Sequence, residues 1–137
     1  MGREVVVEGD GNALAQAITA GPHRLTGDEP VEGGGTDSGP GPYDFLLAAL
    51  GSCTSMTLTM YARHKGWPLS GVRLVLRHAR MQRPGPEGAT SPERIERHIT
   101  LTAPLSDEQR QRLLEIAERC PVHRTLTGEI EIRSALD

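Results

Sequence analysis

Aromatic side chains are scarce in this sequence: only Tyr43, Phe45, Tyr61 and Trp67 occur among 137 residues, all in one window. Outside that window a core must be built from leucine, isoleucine, valine and alanine. Positive charge is not in excess either, since 15 Lys and Arg stand against 18 Asp and Glu, a formal net charge of −3. That excludes a basic domain held to nucleic acid by phosphate neutralisation. Cysteine occurs twice, at Cys53 and Cys120, too rarely for a disulfide-rich scaffold and too widely spaced for a zinc ribbon. A reduced cytoplasmic setting is expected. No signal-peptide h-region is read in Met1 to Glu8, so the mature chain is expected to start there.

What is present suffices for one domain over 1–137: 36% of the residues are hydrophobic, enough to fold without staples. Short strands are expected at Glu4 to Glu8, Ala13 to Thr19 and His23 to Thr26, the first two joined by the turn Gly9-Asp10-Gly11-Asn12. The stretch from Gly33 to Pro42 reads as a loop. It resembles a phosphate loop only in glycine content, because no Gly-Lys-Ser/Thr follows.

From Pro42 the pattern predicts a helix of about six turns, with Asp44 near its positive end and Arg63, His64, Lys65 and Gly66 at its close. Apolar residues lie on nearly every face, which predicts a central helix partly covered by a second subunit. The uncharged run from Phe45 to Ala62 reaches the length of a membrane span. Its five hydroxyl residues and Gly51 favour a soluble buried helix instead.

Two alternating strands follow, marked by Val72, Leu74 and Leu76, then by Ile95, Ile99 and Leu101. The polar loop Pro84 to Ala89 between them is expected to be mobile. A second helix opens on a capping box at Ser106 and Gln109 and is expected to reach Cys120-Pro121. A last strand is expected at Glu129 to Arg133. The order is α+β.

Both cysteines face inward on this reading, as small buried hydrophobes or as a reactive pair. The histidines, at 23, 64, 78, 98 and 123, show no metal-ligand spacing beyond the half-site Cys120-Pro121-Val122-His123. No metal is expected, and no Gly-x-Ser-x-Gly elbow marks an esterase.

The run Gly41-Pro42-Tyr43-Asp44-Phe45-Leu46-Leu47-Ala48-Ala49-Leu50-Gly51-Ser52-Cys53, with Cys120-Pro121-Val122-His123-Arg124-Thr125-Leu126, resembles the OsmC/Ohr family of osmotically inducible and organic-hydroperoxide-resistance proteins. The resemblance implies antiparallel sheets packed around a long central helix in an intertwined homodimer, with sites at the subunit interface. It also implies a thiol peroxidase. Cys53 would attack an organic hydroperoxide or hydrogen peroxide to give a sulfenic acid, and Cys120 would resolve it to a disulfide. An external lipoyl-type dithiol would restore both thiols, with no resident cofactor. The four aromatics would then lie at or near the interface pocket.

The sequence departs from the family at Tyr43, where the resemblance implies a glutamate. Tyr43 is thereby a pocket residue, about 80° around an ideal helix from Cys53, whereas Asp44 stands about 180° away and fits a first-turn role. An arginine that would hold the cysteine as thiolate is sought among Arg24, Arg97 and Arg124; Arg97 alternates with Ile95, Ile99 and Leu101 on the inward face. A different reading keeps the fold but makes the protein an OsmC-like dimer that binds a small molecule with weak or no peroxidase activity.

Overall fold

The computed structural model describes residues 2–80, 85 and 92–137, so the expected loop at 84–89 lies, apart from Gly85, outside the described residues. Among the described residues five strands and three α-helices follow in the order β1 (Val5–Glu8), β2 (Gln16–Ala20), β3 (His23–Gly27), α1 (Pro42–Lys65), β4 (Gly71–Arg80), β5 (Glu93–Thr102), α2 (Asp107–Ala117) and α3 (Pro121–Thr127), with a 3-10 turn at Val31–Gly33. The architecture is α+β, with one three-stranded and one two-stranded antiparallel sheet. The chain divides into two compact units, Met1–Leu46 and Leu47–Asp137.

In the first unit β2 is central, pairing Val5 with Ala20 on one side and Ala20 with His23 on the other. The β2–β3 turn has only Gly21 and Pro22 at its tip, and Gly21 takes φ of 58°, the conformation a tight hairpin demands of its first central residue. β2 begins at Gln16, later than the expected Ala13. The Asp10 carboxylate explains the delay, because it accepts from the amides of Asn12 and Ala13 at 2.8 and 2.9 Å and holds those residues in a turn. One face of this sheet forms an apolar basin of about 520 Å³ whose walls include Val5, Val7, Leu14, Ile18, Leu25 and Phe45.

The glycine-rich stretch is organised by one carboxylate. Asp28, 4% exposed, accepts from the amides of Glu29, Thr36 and Ser38 and from the hydroxyls of Thr36 and Ser38, at 2.7 to 3.2 Å. Those bonds, the Ser38 hydroxyl foremost, hold its pKa well below the usual carboxylate range. A group whose pKa is lowered by folding contributes stability above its unfolded value and loses it as pH falls toward the folded one. Asp28→Asn, which turns an N–H₂ toward backbone donors, should therefore lower the melting temperature at neutral pH. The gap from wild type should narrow below about pH 4. Equal melting curves at neutral pH would refute this role.

Helix α1 starts where Pro42 needs no amide partner, and Asp44 accepts from the Gly41 amide at 2.9 Å. It stops at Gly66, φ 71°, where the amides of Gly66 and Trp67 bond to the carbonyls of Arg63 and Ala62. By length and a mean hydropathy of 1.4 this helix is able to cross a membrane, a property shared with core helices of soluble proteins.

The second unit is built on a single ridge of α1. Leu50, Thr54, Leu58 and Ala62, spaced by four, are its buried line. Leu58 packs with Leu113, Ile116 and Ala117 of α2, flanked by Tyr61, Trp67, Val72, Ile99, Leu101 and Leu105. Tyr61 and Trp67, in edge-to-face contact at 5.5 Å between ring centres, therefore belong to this core. The expectation that the aromatics gather at a pocket is corrected for these two. Elsewhere on α1 the chain leaves apolar surface open: Met56 and Met60 are 63% and 67% exposed.

β4 and β5 pair over ten residues, with Leu74 opposite Ile99 and Leu76 opposite Arg97. The capping box of α2 forms as expected: the Ser106 hydroxyl accepts from the Gln109 amide at 3.1 Å, and the Gln109 side chain accepts from the Ser106 amide at 2.9 Å. Helix α2, however, ends at Ala117, not at Cys120. Pro121 forces the residue before it into extended backbone, and Cys120 has φ −63° and ψ 142°. A short third helix, not anticipated from the sequence, starts there. The expected strand at Glu129 to Arg133 is absent; Ile130 and Ile132 are 55% and 84% exposed. Alternation alone does not make a strand, because the ladder needs a partner edge.

Candidate active site

Cys53 comes from the middle of α1, one residue before the buried ridge, and is half-buried. Cys120, at the start of α3, is fully buried. Both thiols are free. Consecutive amides of α3 hold them: Val122 donates to Cys53 Sγ at 3.5 Å and His123 donates to Cys120 Sγ at 3.3 Å. Cys120 thereby caps α3 with sulfur, in the position where serine or aspartate is usual.

Thr54 joins this pair to the sheet. Its hydroxyl lies 2.7 Å from the Leu50 carbonyl and 3.6 Å from Cys120 Sγ, and it accepts from Arg97 Nη1 at 2.9 Å. A hydroxyl has one proton. It donates either to Leu50 or to the sulfur, and a thiolate at Cys120 draws it to the sulfur.

Of the three candidate arginines the geometry brings Arg97 to the dithiol. Its place in the β5 alternation points it inward, and its side chain is 10% exposed. Arg24 is exposed on β3, and Arg124 is exposed in α3. Arg97 Nη2 donates to His123 Nδ1 at 3.2 Å and stands 3.7 Å from Glu118 Oε1. With Nδ1 accepting, His123 carries its proton on Nε2, which lies 3.1 Å from Glu118 Oε2. An arginine–carboxylate pair thus stands beside the cysteines, supplied by β5 and by the residue that closes α2. Tyr43 lies in the first unit, on the opening turn of α1, and is 48% exposed.

Burial works against ionisation of Cys120. The hydrogen bonds from Thr54 and the His123 amide, with the neighbouring Cys53 thiol and the Arg97 charge, more than offset it, so the thiol is held below the ordinary cysteine range. Such a site can hold one sulfur as a thiolate beside a second, more accessible thiol. It offers nothing that resembles a metal centre: among the described residues no group of three or more histidine, cysteine or acidic side chains is placed to hold an ion. Thr54, Glu118 and His123 as a working set were missed at the sequence level. The available signals were Thr54 next to Cys53 and His123 three residues after Cys120.

A family model described as OsmC-like protein matches residues 35–135. An OsmC-like protein of Mycoplasma pneumoniae is similar in structure, with a TM-score of 0.77 and 22% identity over 93% of this chain and 89% of that one. The organic hydroperoxide resistance protein OsmC of Legionella pneumophila gives a TM-score of 0.70 at 19% identity, covering 93% and 90%. OhrB of Bacillus subtilis, also an organic hydroperoxide resistance protein, gives 0.67 at 18%, covering 93% and 92%. Comparison with curated protein sequences gave no match.

Proposed function

The chain belongs to the OsmC-like protein family, and from that premise we propose that it is a cysteine-based peroxidase reducing organic hydroperoxides or hydrogen peroxide. Structural relatives named for organic hydroperoxide resistance support a peroxide-related role. The observation that carries the finer reading is the meeting of Cys53 and Cys120 at adjacent amides of α3, one thiol reachable and one buried. Cys53 as thiolate attacks the outer peroxide oxygen; the O–O bond breaks, the sulfur keeps OH as a sulfenic acid, and the alkoxide leaves to take a proton. Cys120 then displaces hydroxide from that sulfur, forming the disulfide. A dithiol of the lipoyl kind reduces it by two exchanges. The chemistry needs no metal or resident cofactor and suits the reducing cytoplasm.

The protein works as a homodimer in this reading. Met56 and Met60 on α1, the apolar basin of the first unit, and the alternating Ile130 and Ile132 are surfaces that a second copy would cover. Tyr43, in place of the glutamate that the resemblance implies, is proposed as a wall of the substrate pocket. It also favours the second reading, an OsmC-like dimer that binds a small molecule and turns over peroxide weakly.

Mass spectrometry after mild peroxide treatment separates the two. The peroxidase should lose two hydrogens in a link between the peptides carrying Cys53 and Cys120. Unlinked thiols, still free after treatment, would exclude the peroxidase cycle.

A further inference from the structure

Two strands of this chain each leave one edge without a ladder. Among the described residues β1 lies outermost in the three-stranded sheet, and β4 pairs only with β5. Val5, Val6 and Val7 of β1 are 60%, 47% and 57% exposed. An apolar edge of this kind invites a further strand.

The two edges carry matching patterns. Val5 and Val7 line the apolar basin, and a period of two sets Glu4, Val6 and Glu8 on the other face. On β4, Leu74 and Leu76 stand opposite Ile99 and Arg97 on the inward face, which sets Arg73, Val75 and Arg77 on the outer one. Glu-Val-Glu on one edge thus answers Arg-Val-Arg on the other. All four charged residues are exposed, and none has an ion pair among the described residues; Arg77 faces Glu96 across the ladder without pairing with it.

We propose that these edges join two copies of the chain: β1 of one pairs antiparallel with β4 of the other, Glu4 beside Arg77, Val6 beside Val75 and Glu8 beside Arg73. This rests on the proposed homodimer and not on its chemistry. Antiparallel is the sense of every ladder among the described residues. The same register sets Val5 beside Leu76 and Val7 beside Leu74, so apolar meets apolar on the opposite face. A slip of one residue would set glutamate against leucine and valine against arginine. A slip of two keeps the faces, and only the charges forbid it, because it parts every Glu–Arg pair.

The occupant is a second copy because each chain carries both halves of the pattern. A twofold axis makes the joint twice and closes both edges of both chains. Charge is divided in the same sense: residues 1–46 hold two basic against eight acidic side chains, and the rest of the chain 13 against ten. The first unit of one copy therefore attracts the second unit of the other before contact.

Sedimentation equilibrium at low ionic strength tests the pairing by exchange of charge. Arg73→Glu with Arg77→Glu, and separately Glu4→Arg with Glu8→Arg, should each weaken self-association by about a hundredfold or more, since four opposed pairs per dimer become like-charged. Mixed in equal amounts, the two variants should associate nearly as the wild type does, because both joints of the mixed dimer are again oppositely charged. Mixing does not rescue a misfolded chain, so lost structure is told apart from lost charge. With Cys53→Ser and Cys120→Ser removing the native thiols, Val6→Cys with Val75→Cys should oxidise to a covalent dimer, and Val6→Cys with Arg73→Cys should not. Variants that self-associate like the wild type, or that stay apart on mixing while keeping wild-type circular dichroism, would overturn the charge pairing. A covalent dimer from the displaced cysteine pair alone would overturn the register. A wild-type chain that is monomeric would refute the homodimer itself, so the failures are distinct.

Discussion

Cys53→Ser should abolish reduction of an organic hydroperoxide in the presence of a lipoyl-type dithiol, with kcat/KM falling at least about a thousandfold, or about 4 kcal/mol. A serine hydroxyl is not ionised at neutral pH and cannot give the sulfenic acid on which the cycle runs. Little should change in the fold, because Cys53 is half-buried and its one backbone contact is a long bond from Val122. Cys120→Ser is the informative companion. Serine is a good N-cap, so α3 keeps its start, and the amide of His123 keeps an acceptor. That variant should consume about one peroxide per chain and then stop, with Cys53 trapped as a sulfenic acid that a dimedone-type reagent labels. Steady turnover by Cys53→Ser at the wild-type rate would end the peroxidase proposal.

Met60→Glu should convert the proposed dimer to a monomer at micromolar concentration, seen as a halving of mass in sedimentation equilibrium. Met60 is 67% exposed on the face of α1 that carries Met56, and a thioether there gains little from water. If a second copy covers it, the carboxylate must be buried without a partner. Such a charge costs at least about 3 kcal/mol, which weakens association by about a hundredfold or more. In a single chain the same substitution is benign, since the site is solvent-facing. A wild-type protein that sediments at the mass of one 14.8 kDa chain would refute the dimer.

Much of the backbone was legible because its signals are local. Pro42 and Gly66 bracket α1, and the Ser106–Gln109 reciprocity opens α2. Each is a requirement of a helix end that one or two side chains satisfy. The misreadings have a different origin. Leu113, Ile116 and Ala117 set a helical phase that Cys120 continues, so periodicity carried α2 too far; the backbone restriction imposed by Pro121 overrides it. Glu129 to Arg133 alternates as a strand should, yet a strand exists only through its neighbour, and no neighbour is written in the segment itself. The two cysteines could be placed facing inward from helical phase alone. Thr54, Glu118 and His123 could not be assembled around Arg97, because their contacts cross between α1, β5 and the ends of α2 and α3, at separations of 21 to 43 positions from Arg97.

Strand parity now acquires a meaning for the chemistry. Ile95, Arg97, Ile99 and Leu101 occupy positions of the same parity on β5, and the ladder fixes Arg97 opposite Leu76. A slip of one residue between β4 and β5 would keep the strands extended but exchange their faces. It would carry the guanidinium out to solvent in the same movement that exposes the isoleucines. The hydrophobic penalty for exposing that wall therefore also guards the position of the charge: the apolar neighbours proofread the address of the one arginine among them.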